Sequence, residues 1–348
     1  MTDAAAGRAS AYLLAQAERQ FAEARHEMTF PHSAGFTGPS ERQSGDLFAR
    51  ATLANLCLDV AALTGEPAAA ALQAVARREA GHLARAKLAD RAGGWSYFPA
   101  LPELPPDADS LAAALTLFLR TAPEYVPLCD EPVEHALAGG GEDGSLETWI
   151  VAATDSPDQR TRMQWAIRTC WGGGTDADVL AHFHHALFMR GRARDRPVIE
   201  RGVAKLIALQ QPDGCWRSTW YVGPAFGTGL ALRLLRETGK GDEACARARR
   251  FLLEAQRPDG AWGDPTPTPL ETALSMIALG EAGVDGDRAR LTRGASALQA
   301  GQLEDGSWPA SPWIRMEIGR ATGTIVRVLT YQSVTISTAY CLKALLLG

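Results

Sequence analysis

Several features are missing from this chain, and each absence narrows the reading. No run approaches the roughly 20 apolar residues that cross a bilayer. The N-terminal stretch MTDAAAGRASAYLLAQAERQ lacks the basic region and apolar run of a secretory signal, so the expected location is the cytoplasm. The six cysteines, Cys57, Cys129, Cys170, Cys215, Cys245 and Cys341, form no CxxC pair, which argues against a disulfide framework or a structural zinc site. A net charge of −5 leaves no polybasic footprint, so nucleic acid is not an expected partner. No alternating stretch reads as a β-ladder. What remains is rich in alanine and leucine, with 46% hydrophobic residues, enough for a large core.

Apolar residues recur at helical spacing in AVARREAGHLARAKLA (74–89) and RGVAKLIALQ (201–210), so the expected class is all-α. The second half carries a repeat. ALQQPDGCW ends at Trp216, EAQRPDGAW at Trp262 and AGQLEDGSW at Trp308, so the tryptophans lie 46 residues apart. A helix precedes each copy, and a loop and another helix follow, as in PLETALSMIALGEAG (269–283). RAGGW at Trp95 and EDGS around Asp143 are weaker copies. Helical pairs of this length stack because none can bury its apolar face alone, and about six pairs close into an (α/α)6 toroid. The glycine suits the positive φ that ends a helix, and the tryptophan offers a flat face and one N–H to a neighbouring helix end. One toroid is expected over 1–348. It has N-terminal helices in 1–90, a segment of candidate chemistry in 91–192 and a repeat-rich half in 193–348.

The candidate chemistry starts in GGWSYFPALPELPPDADSLAAAL (93–115), where Asp107 and Asp109 stand at the mouth of an apolar helix. Aspartate there is a common N-cap, and capping is the better reading for Asp107. TDADVLAHFHHALF (175–188) places Asp178 and His182 at i and i+4, one helix face, where the carboxylate is expected to orient the imidazole. His184 and His185 read as bystanders, and no metal site is expected from this cluster.

These motifs resemble the squalene–hopene cyclase and oxidosqualene cyclase family, whose glutamine–tryptophan repeat is Q-x-x-D-G-x-W. Class II diterpene cyclases and the β-subunits of protein prenyltransferases share the fold. The resemblance runs in order over roughly residues 90 to 310. It aligns 93–115 with the segment carrying the D-x-D-D acid, 175–188 with the segment carrying its histidine, and CWRSTWYVGPAFGTGLAL (215–232) with a stretch ending in an aromatic residue and Gly-Thr-Gly. It implies that Asp109 is the proton donor, His182 its hydrogen-bond partner and Asp107 a helper in the geometry. Tyr97, Trp149, Trp220 and Phe226 would line the cavity with aromatic faces, and Tyr331 would stand alone in the late-cation region. Ser110 replaces the third acid of the motif. The segment IRMEIGRATGTIVRVL (314–329) has no aromatic residue where the family is aromatic-rich, which favours a short cascade.

The implied activity is class II-type terpenoid cyclisation, begun by protonating an alkene or epoxide of a linear isoprenoid or meroterpenoid. Protonation requires no cofactor, and Mg²⁺ enters only with a diphosphate substrate. No DDxxD motif is present, so ionisation of a diphosphate is not expected. The family places its cavity between two α-domains. With one toroid here, the pocket is expected to be open to water, closed by a homodimer or covered by a partner domain, and peripheral contact with a membrane surface stays open. Two alternatives also stay open. One is a non-catalytic binding or scaffold toroid. The other is a prenyltransferase-like enzyme, whose chemistry needs a zinc-activated thiolate held with Asp, Cys and His ligands.

Overall fold

The computed structural model describes residues 2–283 and 288–348. In chain order the helices are α1 (Thr2–Glu18), α2 (Leu47–Ala61), α3 (Ala68–Arg85), α4 (Ala108–Thr121), α5 (Asp130–Ala138), α6 (Pro157–Ala166), α7 (Ala177–Arg190), α8 (Arg196–Ala208), α9 (Ala225–Thr238), α10 (Asp242–Glu254), α11 (Pro269–Glu281), α12 (Arg288–Ala300) and α13 (Val334–Leu347). Six of them, α2, α4, α7, α9, α11 and α13, form an inner ring in which each packs on the next and α13 closes on α2. Around it lie α3, α5, α8, α10, α12 and α1, each against its inner partner. This is the α/α toroid.

The division into inner and outer helices follows from composition. In α4 every residue from Ala108 to Phe118 is buried, and its small alanines let neighbouring helices approach on all sides. The outer helix α8 buries Ile199, Gly202, Val203 and Leu206, a single stripe at helical spacing. α10 does the same with Ala244, Ala248 and Leu252.

The repeats join the pairs. Each tryptophan is fully buried and donates its indole N–H to the end of the outer helix before it: Trp216 to the Leu206 carbonyl at 2.7 Å, Trp262 to Leu252 at 2.8 Å and Trp308 to Leu298 at 2.7 Å. Each glutamine reaches forward. Gln210 donates to the carbonyls of Gly214 and Ala244, and Gln256 to those of Gly260 and Arg290. Gln302 donates to Gly306 and to Ala5 of α1. The third repeat therefore clasps the first helix, and α1 stands where a next outer helix would stand. Gly214 and Gly306 have φ of +97° and +87°, and a Cβ at Gly306 would come within 2.5 Å of the Arg8 carbonyl oxygen.

Two antiparallel ribbons depart from the expectation of no ladder. β1 (His26–Thr29) pairs with β2 (Arg42–Gly45), and β3 (Ser311–Ile318) with β4 (Arg327–Ser333). The second ribbon includes the aromatic-free segment. In it Ile314 and Met316 are buried while Arg315 points out, the period of two that marks a half-buried strand. Ile314 and Met316 form part of the wall of the cavity described next.

Candidate active site

The site begins at the N-terminus of α4. Asp107 is the N-cap: its carboxylate accepts from the Ser110 amide at 2.6 Å and the Ser110 hydroxyl at 2.9 Å. The serine in place of a third acid thus completes the cap. Burial pushes the pKa of Asp107 up to about 7, opposed by those bonds and assisted by the charge of Asp109.

Asp109 lies in the first turn of the same helix, and its carboxyl group faces an apolar cavity. Nδ1 of His182, on α7, is 2.5 Å from Asp109 Oδ1. Oδ2 accepts a hydrogen bond from the Tyr221 hydroxyl. Both partners are nearly buried, with side chains 11% and 15% exposed for Asp109 and His182. Burial, with Asp109 beside it, holds the Tyr221 phenol well above its ordinary pKa, so it is a hydrogen-bond donor. The α4 N-terminus favours negative charge at Asp109. An acid so placed leaves behind an anion with two donors and a helix end to stabilise it.

The cavity wall is aromatic. Tyr97, Trp149, Trp171, Trp220 and Tyr221 line it, with Phe48 from α2. Trp149 meets Trp220 edge to face, with centroids 5.3 Å apart. Tyr97 is tied outward by its hydroxyl, 3.0 Å from His26 Nδ1 on β1. On the other side of His182 is a second cavity between the inner helices, where Arg120 and Lys343 both bind Asp59. His182 lines that cavity, and Asp109 lines the apolar one.

Of the residues expected from the sequence, Asp107, Asp109, Tyr97, Trp149 and Trp220 come together around the apolar cavity, with His182 behind Asp109. Three expected residues are placed otherwise. Asp178 does not orient His182: both of its carboxyl oxygens are buried without a hydrogen-bond partner. Burial, with the charges of Asp176 and Asp109, pushes its pKa well above the ordinary carboxylate value. The i, i+4 spacing put the two on one face, but His182 reaches across to α4 while Asp178 packs at Gly227 of α9. Phe226 borders the second cavity and packs on Tyr221 with centroids 4.0 Å apart. Tyr331 lies behind Trp313 and gives its hydroxyl to the Ala24 carbonyl at 2.6 Å, which fastens β4 to the N-terminal segment.

Two residues were missed. Tyr221 follows Trp220 in a loop with no helical period, so nothing in the sequence says which of the pair reaches the acid. An isolated bridge between Tyr221 and Ile314 of β3 fixes it. Asp176 precedes α7 at the N-cap position but makes no capping bond. It accepts instead from the Trp220 indole at 2.8 Å and the Thr148 hydroxyl at 2.7 Å. Among the described residues no group of three or more His, Cys, Asp and Glu side chains could hold a metal ion, and no helix is long and apolar enough to cross a membrane.

Comparison with known proteins bears on this geometry. Residues 173–315 match the squalene-hopene cyclase C-terminal domain. The terpentedienyl-diphosphate synthase of Kitasatospora griseola is 33% identical over 108 residues, 30% of this chain and 22% of that protein. The labda-7,13-dienyl diphosphate synthase of Streptomyces clavuligerus is 26% identical over 186 residues, 52% of this chain and 30% of that protein. The matched stretches thus span less than a third of these relatives. Among solved structures, a variant of the type II terpene cyclase MstE from Scytonema, in complex with geranylgeranyl dihydroxybenzoate as substrate, superposes with a TM-score of 0.72 at 18% identity. The match covers 99% of this chain and 97% of that one. A protein from Actinoplanes gives 0.71 at 22% identity, with 99% and 98% covered. The chain is related in sequence to squalene–hopene and class II terpene cyclases over part of its length, and it shares the toroid of a type II terpene cyclase over nearly all of it.

Proposed function

We propose that the chain is a class II-type terpenoid cyclase in which Asp109 protonates a terminal alkene or epoxide of a linear isoprenoid. The observation that carries this reading is Asp109 itself: a carboxyl group facing an aromatic-lined cavity, with His182 and Tyr221 on its two oxygens. Protonation breaks the Asp109 O–H bond and forms a C–H bond from the alkene π electrons. The carboxylate left behind accepts from a ring N–H of His182 and from the Tyr221 phenol, and bonds to a charged acceptor are the strong ones. The carbocation then lies among aromatic faces, which attract it and do not trap it. Loss of a proton, or capture of a nucleophile, ends the cascade.

The substrate class is a prenyl diphosphate or a prenylated aromatic acid. Two relatives carry diphosphate products in their names, and a neighbour of the same fold binds a geranylgeranyl dihydroxybenzoate. The cavity acids are already held by protein donors, so no step is routed through a metal. Mg²⁺ enters only as a ligand of a diphosphate.

The test is conversion of geranylgeranyl diphosphate and geranylgeranyl dihydroxybenzoate by the parent, by Asp109→Asn and by His182→Ala. The reading requires cyclic product from the parent and a loss of at least about a thousandfold with Asp109→Asn. A parent that binds these chains and never converts them, alongside an Asp109→Asn that binds them equally, would favour a non-catalytic binding toroid.

A further inference from the structure

Trp220 is held on three sides. Its indole N–H donates to Asp176 Oδ2 at 2.8 Å. Its edge contact is Trp149. The guanidinium of Arg320, in the turn between β3 and β4, lies over the ring with its carbon 4.6 Å from the centroid. Arg320 is anchored by its Nε on the Trp171 carbonyl at 3.0 Å, and its Nη1 is 3.4 Å from Asp176 Oδ1. Its Nη2 is buried without a partner.

This arrangement poses an electrostatic problem for a cavity that must hold positive charge. Arginine is a permanent cation. A carbocation on the other face of the indole would lie roughly 8 Å from it, if each sits at ring-contact distance. At that separation, in a protein interior, two unit charges repel enough to change a rate or an affinity by about thirtyfold. Asp176 is placed to cancel this charge. Its side chain is 9% exposed and gives up the N-cap of α7 to face Trp220 and Arg320. A carboxylate is not needed to hold an indole N–H: Trp149 donates to the neutral carbonyl of Gly172 at 2.7 Å.

We propose that Asp176 is a positioning residue that fixes the plane of Trp220 and neutralises Arg320 behind it, leaving the cavity face of the indole able to hold a cation. The proposal rests on the cyclase reading for its purpose, but its electrostatics can be tested without turnover. The probes are decyltrimethylammonium, a cation with the shape of a tertiary centre, and its uncharged tert-butyl analogue. Their affinities are measured by calorimetry for four full-length proteins.

The parent binds the ammonium at least as tightly as the neutral analogue. Asp176→Asn keeps an acceptor for the indole but loses the charge, so it binds the ammonium about ten- to thirtyfold more weakly and the neutral analogue unchanged. Arg320→Met shifts the other way and tightens the ammonium. The double variant Asp176→Asn with Arg320→Met returns to within about threefold of the parent, as cancelling charges should. The indole ¹⁵N–¹H resonance of Trp220 moves in Asp176→Asn. An Asp176→Asn that weakens both probes equally, a double variant no better than the single, or an Arg320→Met that leaves ammonium binding unchanged would each overturn the proposal. Failure of the cyclase reading is a separate result, seen as a parent that converts no isoprenoid while these binding shifts persist.

Discussion

Tyr221 gives its hydroxyl hydrogen to the Asp109 oxygen that His182 leaves free. The acid is therefore held at both oxygens by groups from two other inner-ring segments, α7 and the loop before α9. Replacing Tyr221 with phenylalanine removes one donor and keeps the ring against Phe226. A hydrogen bond to a charged group contributes about 1.5–3 kcal/mol, so turnover of an isoprenoid substrate should fall roughly ten- to a hundredfold with KM little changed. Steady-state kinetics of Tyr221→Phe checks this. A rise in KM with kcat unchanged would place Tyr221 in substrate binding and not in acid strength.

Asp107 makes stability depend on pH with a known sign. Its folded pKa of about 7 is above its ordinary value, so the folded chain holds a proton that the unfolded chain releases. The stabilisation is fully present below about pH 4 and is lost as pH rises through about 7. Asp107→Asn keeps an oxygen to accept the Ser110 amide and removes the titration. The parent should lose up to about 1.4 kcal/mol per pH unit relative to Asp107→Asn across that window. Urea unfolding of both proteins between pH 4 and 8 measures the difference, and parallel curves would contradict the assignment.

Ring closure at α1 gives a third prediction. Gly306 has φ of +87°, and a Cβ there would meet the Arg8 carbonyl oxygen of α1. Gly306→Ala should cost about 2 kcal/mol, from backbone strain and a displaced α1. Hydrogen exchange should localise the loss to α1 and its contact with α13. A uniform loss across the toroid, or none, would mean that the third repeat does not clasp the first helix.

Much of the fold was legible because the repeats encode it locally. The 46-residue spacing, the Asp-Gly turns and the glutamines each act within one helical pair or its neighbour. The toroid follows from stacking such pairs. The meeting of Asp109 and His182 was legible through the resemblance of two segments, although they lie on different helices. What escaped depends on contacts distant in sequence. Tyr221 reaches Asp109 because a strand near residue 314 pins its loop. Asp178 misled because helical spacing gives a shared face and not a direction across the ring. The β3–β4 ribbon left a signal that was passed over: Ile314, Met316 and Ile318 alternate with Arg315 and Glu317, a strand period beneath a composition read as lacking aromatics.

The central claim is that Asp109 delivers the first proton. The most direct measurement is turnover of geranylgeranyl dihydroxybenzoate or geranylgeranyl diphosphate in heavy water, with mass and NMR analysis of the product. The account predicts a cyclic product carrying a single deuterium, bound at the carbon of the former terminal alkene, and none from Asp109→Asn. A cyclic product without deuterium, or one formed equally by Asp109→Asn, would contradict it.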